Sequence, residues 1–368
     1  MPPRFVQRST FALIRMSIPL YALLITSLAL LGLPLAHADD ASPAAQSQVQ
    51  PVLLTGRAMG TTYRIKYWGS GQGTEQHVHE AVETLLAEFD LQMSTYRVDS
   101  ELSRFNRASS GEWFPVSRRT AYVAGEAVRY CELTGGALDV TVSPVLRLWR
   151  FDAQGKQASA PFQPPSDEEI RSAMSLVGPG RLRVRQDPPA LWKEQAGVEV
   201  DFSALAPGFA VDLMIELLQS LGFADAMVEC GGEVRAAGTR PGGTPWRIGV
   251  ERARPAGERP LVRIVSLRDL ALTTAGDYRN FRTDDKQGYT HIIDPRTGRA
   301  LPYRGVSVTV VAETCLEADA LDTALMVMGP GEGRRWCDAR NIAAMFQYEE
   351  AGQPVVVETA RFKKIFGP

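Results

Sequence analysis

"VSVTVVAETCLEADALDTALMVMG", residues 306–329, changes period half-way along. Its first part, VSVTVVAE, is short and rich in β-branched residues, as strands are. In its second part Leu321, Leu325 and Met328 recur at helical spacing, which predicts a helix over about 316–328. Working outward, TTYRIKYW, GVEVDFSAL, DAMVECGGEVRAAG, PWRIGVERA, LVRIVSL, DLALTTAG, YTHIIDP, IAAMFQYE and PVVVETA also read as strands bounded by turn residues. Val78, Val82, Leu85, Leu86, Phe89 and Met93 mark an amphipathic helix. A second helix runs from about Ser117, its N-cap, to Leu133; a third opens on the capping box Ser166/Glu169; a fourth covers about 208–221. Helices come early and strands late, without regular βαβ alternation. The expected class is α+β, with mixed or antiparallel sheets and packed helices.

The N-terminus reads differently. Arg4, Arg8 and Arg15 lead into an apolar run that ends in Ala36-His37-Ala38, the layout of a cleaved secretory signal over 1–38. A transmembrane anchor is the competing reading, because the run approaches the roughly 20 residues that span a bilayer. Pro19, Gly32, Pro34 and the small-residue end favour cleavage, no cysteine precedes Cys131 to carry a lipid, and the expected compartment is the periplasm. Residues 39–50 read as a flexible lead-in, and 51–368 as the working domain. Cleavage removes three arginines and no acid, so a net charge of −2 becomes −5. That excludes an extended nucleic-acid footprint. Cys131, Cys230, Cys315 and Cys337 show no zinc spacing; one disulfide is open to them in an oxidising compartment, and small buried side chains are the simpler reading.

Glycine-bearing corners fall at 58–63, 134–140, 201–212, 228–238 and 273–281. None matches a dinucleotide-binding or P-loop fingerprint. His291 is the only histidine after residue 79. It reads either as a structural histidine or as a general base poised near neutral pH. Asp319 and Thr323 share one helical face beside the apolar stripe. They suit a hard cation such as Mg²⁺, or else Asp319 joins Glu317 in complementing the helix dipole; the residues alone leave both open.

Taken in order, AMGTTY, MSTYRVDSELSRFN, GGALDVTVSPVLRLW, VDFSALAPGFAVD, VECGGEV, THIIDPRTG and the opening stretch resemble the blocks of the FAD:protein FMN transferases, the ApbE family, over about 57–330. The resemblance implies an architecture related to the T-fold. It implies a periplasmic enzyme that moves the FMN half of FAD onto a Ser or Thr hydroxyl of a target flavoprotein, with AMP leaving. The acceptor segment it implies is D-x-x-[ST]-G-A-[ST]. It places the Mg²⁺ ligands at Asp319, Thr323 and the backbone carbonyl of Ala204. FAD contacts fall on Met59, Tyr96, Ala137, Leu138, Asp139, Asp201, Pro207 and Ile293, and His291 accepts the target hydroxyl's proton.

One position departs from the pattern. Pro207 stands where the family commonly has Lys or Glu, and proline offers neither a polar side chain nor an N–H. The departure bears on FAD affinity more than on chemistry. The alternatives are an FAD pyrophosphatase, with water as acceptor, and a non-catalytic flavin carrier.

Overall fold

The computed structural model describes residues 50–69, 71–152, 162–253, 260–277, 281–283 and 288–367. The expected signal segment and, Gln50 apart, the lead-in lie outside them. In chain order a hairpin, Val52–Ala58 and Thr61–Trp68 (β1, β2), precedes helices Glu75–Met93 (α1) and Glu101–Arg107 (α2). Strand Phe114–Pro115 (β3) and helices Arg118–Leu133 (α3), Ser143–Leu148 (α4) and Asp167–Met174 (α5) follow. Next come Leu182–Gln186 (β4), Pro189–Lys193 (β5), helix Ala206–Ser220 (α6), Asp225–Cys230 (β6), Glu233–Ala237 (β7), Trp246–Glu251 (β8), Leu261–Leu267 (β9) and Leu270–Gly276 (β10). The chain continues through Phe281–Thr283 (β11), Gly288–Asp294 (β12), Arg299–Pro302 (β13), Ser307–Ala312 (β14) and helix Cys315–Arg340 (α7). It ends with Ala343–Glu350 (β15), Gln353–Glu358 (β16) and helix Ala360–Phe366 (α8).

Eight strands form one sheet in the order β1-β2-β6-β7-β10-β14-β15-β16, and every neighbouring pair is antiparallel. The fold is α+β, as the early helices and late strands, without regular βαβ alternation, predict. β2 shows the half-buried pattern, with Tyr63, Ile65 and Tyr67 inward. In β14 the residues from Ser307 to Val311 are all buried, because both faces of the sheet are covered there. On one face α1, α3, α6 and α7 pack over Tyr63, Ile65, Val308 and Val310. On the other, the β8–β9 hairpin and α8 bury Trp246, Val265 and Phe362 against Leu272, Val311 and Met345. A smaller core, built on Val145, Trp149, Phe151 and Ile170, sits beside β12.

Several local readings match in detail. Ser117 and Ser166 cap α3 and α5, the latter with the full capping box. The opening helix starts at Cys315 and bends at Gly329, before Pro330. Residues 197–205, expected as part of a strand, join no ladder. Their backbone is held by a side chain instead: Asn106 donates to the Val200 carbonyl and accepts from the Val200 amide, both at 2.9 Å. All four cysteines are buried and unpaired. No helix among the described residues is long and apolar enough to cross a membrane.

Candidate active site

Two adjoining cavities open between the N-terminal hairpin, the helices and β12. The larger, about 780 Å³, is walled by Met59, Leu86, Phe89, Met93 and Tyr96, with Glu83, Asp90 and Arg57 among its polar groups. The smaller, about 120 Å³, is walled by Ala137, Leu138, Asp139, Ala204, His291, Ile293 and Thr323. Asp201 and Ser203 line both, so the two chambers make one cleft. Pro207 lines the larger chamber. Eleven of the twelve residues expected at the site therefore face the cleft; Asp319 lies just behind its wall, 6% exposed.

Each segment is fixed locally. Ala58 pairs with Thr61, so Met59 and Gly60 alone make the β1–β2 turn, with φ of 49° and 76°. Two-residue hairpin loops of the I′ type need positive φ at both centres, which glycine supplies freely and methionine only under strain. Thr134 donates to the Tyr130 carbonyl at 2.7 Å and accepts from Leu138 N–H at 3.2 Å, turning the end of α3 into the cleft. Asp139 accepts from Thr141 N–H at 2.8 Å and from its hydroxyl at 2.6 Å. The Asp201 amide donates to Val140 at 2.9 Å, and its carboxylate accepts from Ser203 N–H at 2.8 Å. The β12–β13 register slips between Tyr289 and Ile293. His291 sits in this irregularity, the kind that re-aims a side chain beside a site.

Where α6 begins, backbone approaches backbone. A Cβ on Gly208 would lie 2.7 Å from the carbonyl carbon of Cys315 and 2.8 Å from Asp319 Cβ. Gly208 N–H donates to Asp319 Oδ2 at 2.8 Å. Burial pushes the Asp319 carboxyl well above the usual range, and the negative charges of Glu233, Asp322 and Asp212 add to it. Burial raises Asp322 as well, against the hydroxyls of Thr273 and Thr323. A cation beside Asp319 would offset both effects. No group of three or more His, Cys, Asp or Glu side chains poised for a metal occurs among the described residues. The expected set asks for one carboxylate, one hydroxyl and one carbonyl, the hard oxygen donors Mg²⁺ takes, and leaves positions for water or phosphate oxygens. Asp319, Thr323 and Ala204 fit that set.

Thiol chemistry is disfavoured. Burial pushes Cys131, Cys230 and Cys337 up to about 12, and Cys315 also well above its ordinary value. Ser203, Glu83, Asn106 and Asp212 were not singled out from the sequence. Ser203 lies inside a corner read for its glycine, and the others act across 20 residues or more of chain.

The ApbE family model matches residues 59–346. The chain belongs to the ApbE family. It is 42% identical over 301 residues, 82% of this chain and 88% of the relative, to the FAD:protein FMN transferase of Vibrio cholerae. It is 34% identical over 294 residues to that of Escherichia coli, covering 79% and 82% of the two chains. The solved flavin transferase ApbE from Vibrio cholerae superposes with a TM-score of 0.77 at 39% identity, covering 86% of this chain and all of that one. The apo flavinyl transferase ApbE of Pseudomonas stutzeri gives 0.78 at 36%, covering 87% and 98%. As an ApbE protein the chain is an enzyme, a transferase, and its α+β architecture is the family's.

Proposed function

We propose that this ApbE protein takes FAD and transfers its FMN half to a Ser or Thr hydroxyl of an acceptor flavoprotein, using Mg²⁺ and working in the periplasm. The observation that carries this reading is the single two-chambered cleft, in which the candidate base His291 and the candidate ligands Thr323 and Ala204 share one small chamber. The larger chamber is roomy and largely apolar on the side of Met59, Leu86 and Met93, as a flat ring system requires. The compartment rests on the N-terminal apolar run and its Ala36-His37-Ala38 end.

In this reading the acceptor oxygen bonds to the phosphorus of the FMN phosphate as the pyrophosphate P–O bond breaks, and AMP departs with that oxygen. His291 accepts the hydroxyl proton at its ring nitrogen. Asp201, fixed between Val140 and Ser203, orients the dinucleotide where the chambers meet. Asp319, Thr323 and the Ala204 carbonyl would hold the cation. Bound Mg²⁺ supplies charge neutralisation at the phosphate oxygens. Phosphoryl chemistry is chiefly positioning and charge stabilisation, so pre-set groups of this kind suffice.

The test mixes the mature chain with FAD, Mg²⁺ and an acceptor domain carrying D-x-x-[ST]-G-A-[ST]. A fluorescent acceptor band on a denaturing gel, equimolar AMP and loss of both with EDTA are expected. AMP without a band, with several acceptors, would replace transfer by hydrolysis. Intact, tightly held FAD would make the protein a carrier.

A further inference from the structure

Helices α6 and α7 cap each other. The amides that begin a helix have no partner inside it. In α6, Ala206 N–H goes to Phe202, Pro207 has none, and Gly208 N–H goes to Asp319 of α7. In α7, Cys315 N–H and Leu316 N–H go to the two oxygens of Asp212 of α6, at 2.8 and 2.9 Å, while Thr314 takes Glu317 N–H. Gly208 and Asp212 are one turn apart on α6, as Cys315 and Asp319 are on α7, so each pair shares a face. Asp212 is buried and is balanced by Arg235 of β7, whose Nη1 donates to Oδ1 at 2.7 Å.

We propose that Asp212 is a positioning residue for the cation site, setting the start of α7 so that Asp319 and Thr323 meet the Ala204 carbonyl. The inference rests on the Mg²⁺ reading above. Asp212 lines neither chamber of the cleft. It acts through two amides one turn before Asp319. Asn at this place keeps one acceptor oxygen, loses the second and turns an NH₂ group toward donors. α7 then shifts or loosens at the point where the Asp319 carboxylate and the Cys315 backbone meet Gly208.

The test titrates Mg²⁺ against wild type and Asp212→Asn under the transferase assay, and separately follows the Mg²⁺-induced rise in thermal midpoint without FAD. Supporting residues of a metal site change affinity by roughly 10–100-fold. The expected result is a half-saturating Mg²⁺ concentration raised by about tenfold or more, in the range for such supporting residues. Turnover at saturating Mg²⁺ should stay near wild type, and the thermal shift should need correspondingly more Mg²⁺. Unchanged half-saturation, or lower turnover at unchanged half-saturation, would overturn the proposal. Arg235→Gln, which leaves the carboxylate in place but unbalanced, decides the matter if Asp212→Asn does not fold: half-saturation rises or the proposal falls. If wild type moves no flavin yet shows the Mg²⁺-dependent thermal shift, the functional reading fails while the role of Asp212 is still read from that shift.

Discussion

Gly208 gives its amide to Asp319 and not to Ala204, although Ala204 is four residues back and is the partner a regular helix would use. One bond thus leaves the Ala204 carbonyl without its helical donor and draws a carboxylate toward it. Any side chain at Gly208 would press on the Cys315 and Asp319 backbone region. Gly208→Ala is expected to lose about 1–3 kcal/mol of stability by overpacking and to weaken Mg²⁺ binding. Urea denaturation and a Mg²⁺ titration check it; an unchanged midpoint would mean that the helices part without cost.

Adding Mg²⁺ should stabilise the wild-type protein in the absence of FAD. A ligand at 100 times its Kd adds about 2.7 kcal/mol to the folded state. Asp319→Ala is expected to abolish both the thermal shift and turnover, and EDTA should reverse the shift in wild type. A full shift in the variant would remove Asp319 from the site.

His291→Gln should slow transfer by roughly 10²–10⁴-fold, the range for a lost general base, while FAD still binds. The ring stands at the cavity wall, edge-on to Phe151 with centroids 6.5 Å apart, and is not a core side chain. Flavin fluorescence quenching measures binding, and AMP release measures turnover. Loss of folding would instead support a structural histidine.

The strained turn yields an opposite-signed prediction. Met59 adopts a positive φ that Asn tolerates better. Met59→Asn should gain roughly 0.5–1 kcal/mol of stability, part of the cost of a left-handed non-glycine residue, and lose FAD affinity. Thermal melting against an FAD titration shows whether the two properties separate; tighter binding would argue against a ligand role for Met59.

Much of this was legible from local pattern. The amphipathic α1, the caps at Ser117 and Ser166, the α7 helix and the turn at Gly60 all depend on near neighbours. The family blocks then placed eleven residues on the cleft and one behind it. What escaped acts at long range. Val200 is extended because Asn106, 94 residues earlier, stands in for a neighbouring strand. Asp212 reaches amides 103 and 104 residues away. The sheet β3-β5-β4 has a two-residue edge strand and two strands of only five residues, too short to stand out, and α8 is only seven residues long.

Lys193 gives a pH signature. It is buried, donates to the Asn106 carbonyl at 2.7 Å, and burial lowers its pKa. Between its folded value and the ordinary lysine value the unfolded chain binds more protons, so this group makes stability rise with pH across that window and is constant, at its least favourable, below it. Replacing it with Met removes the contribution. Denaturant midpoints of wild type and Lys193→Met, taken at rising alkaline pH, should converge or cross in wild type's favour; a constant difference would mean that Lys193 does not titrate there.

The sheet order has a consequence for assembly. Tyr63 of β2 pairs with Cys230 of β6, and the cleft draws on residues from Arg57 to Thr323. The first hairpin to be synthesised must wait for more than half of the polypeptide before its inner edge is closed. Bringing such distant segments together costs loop entropy before any contact rewards it. Flavin chemistry is therefore withheld from the nascent chain until late: the turn bearing Met59 is made early, but His291, Ile293 and Thr323 of the smaller chamber leave the ribosome long after it.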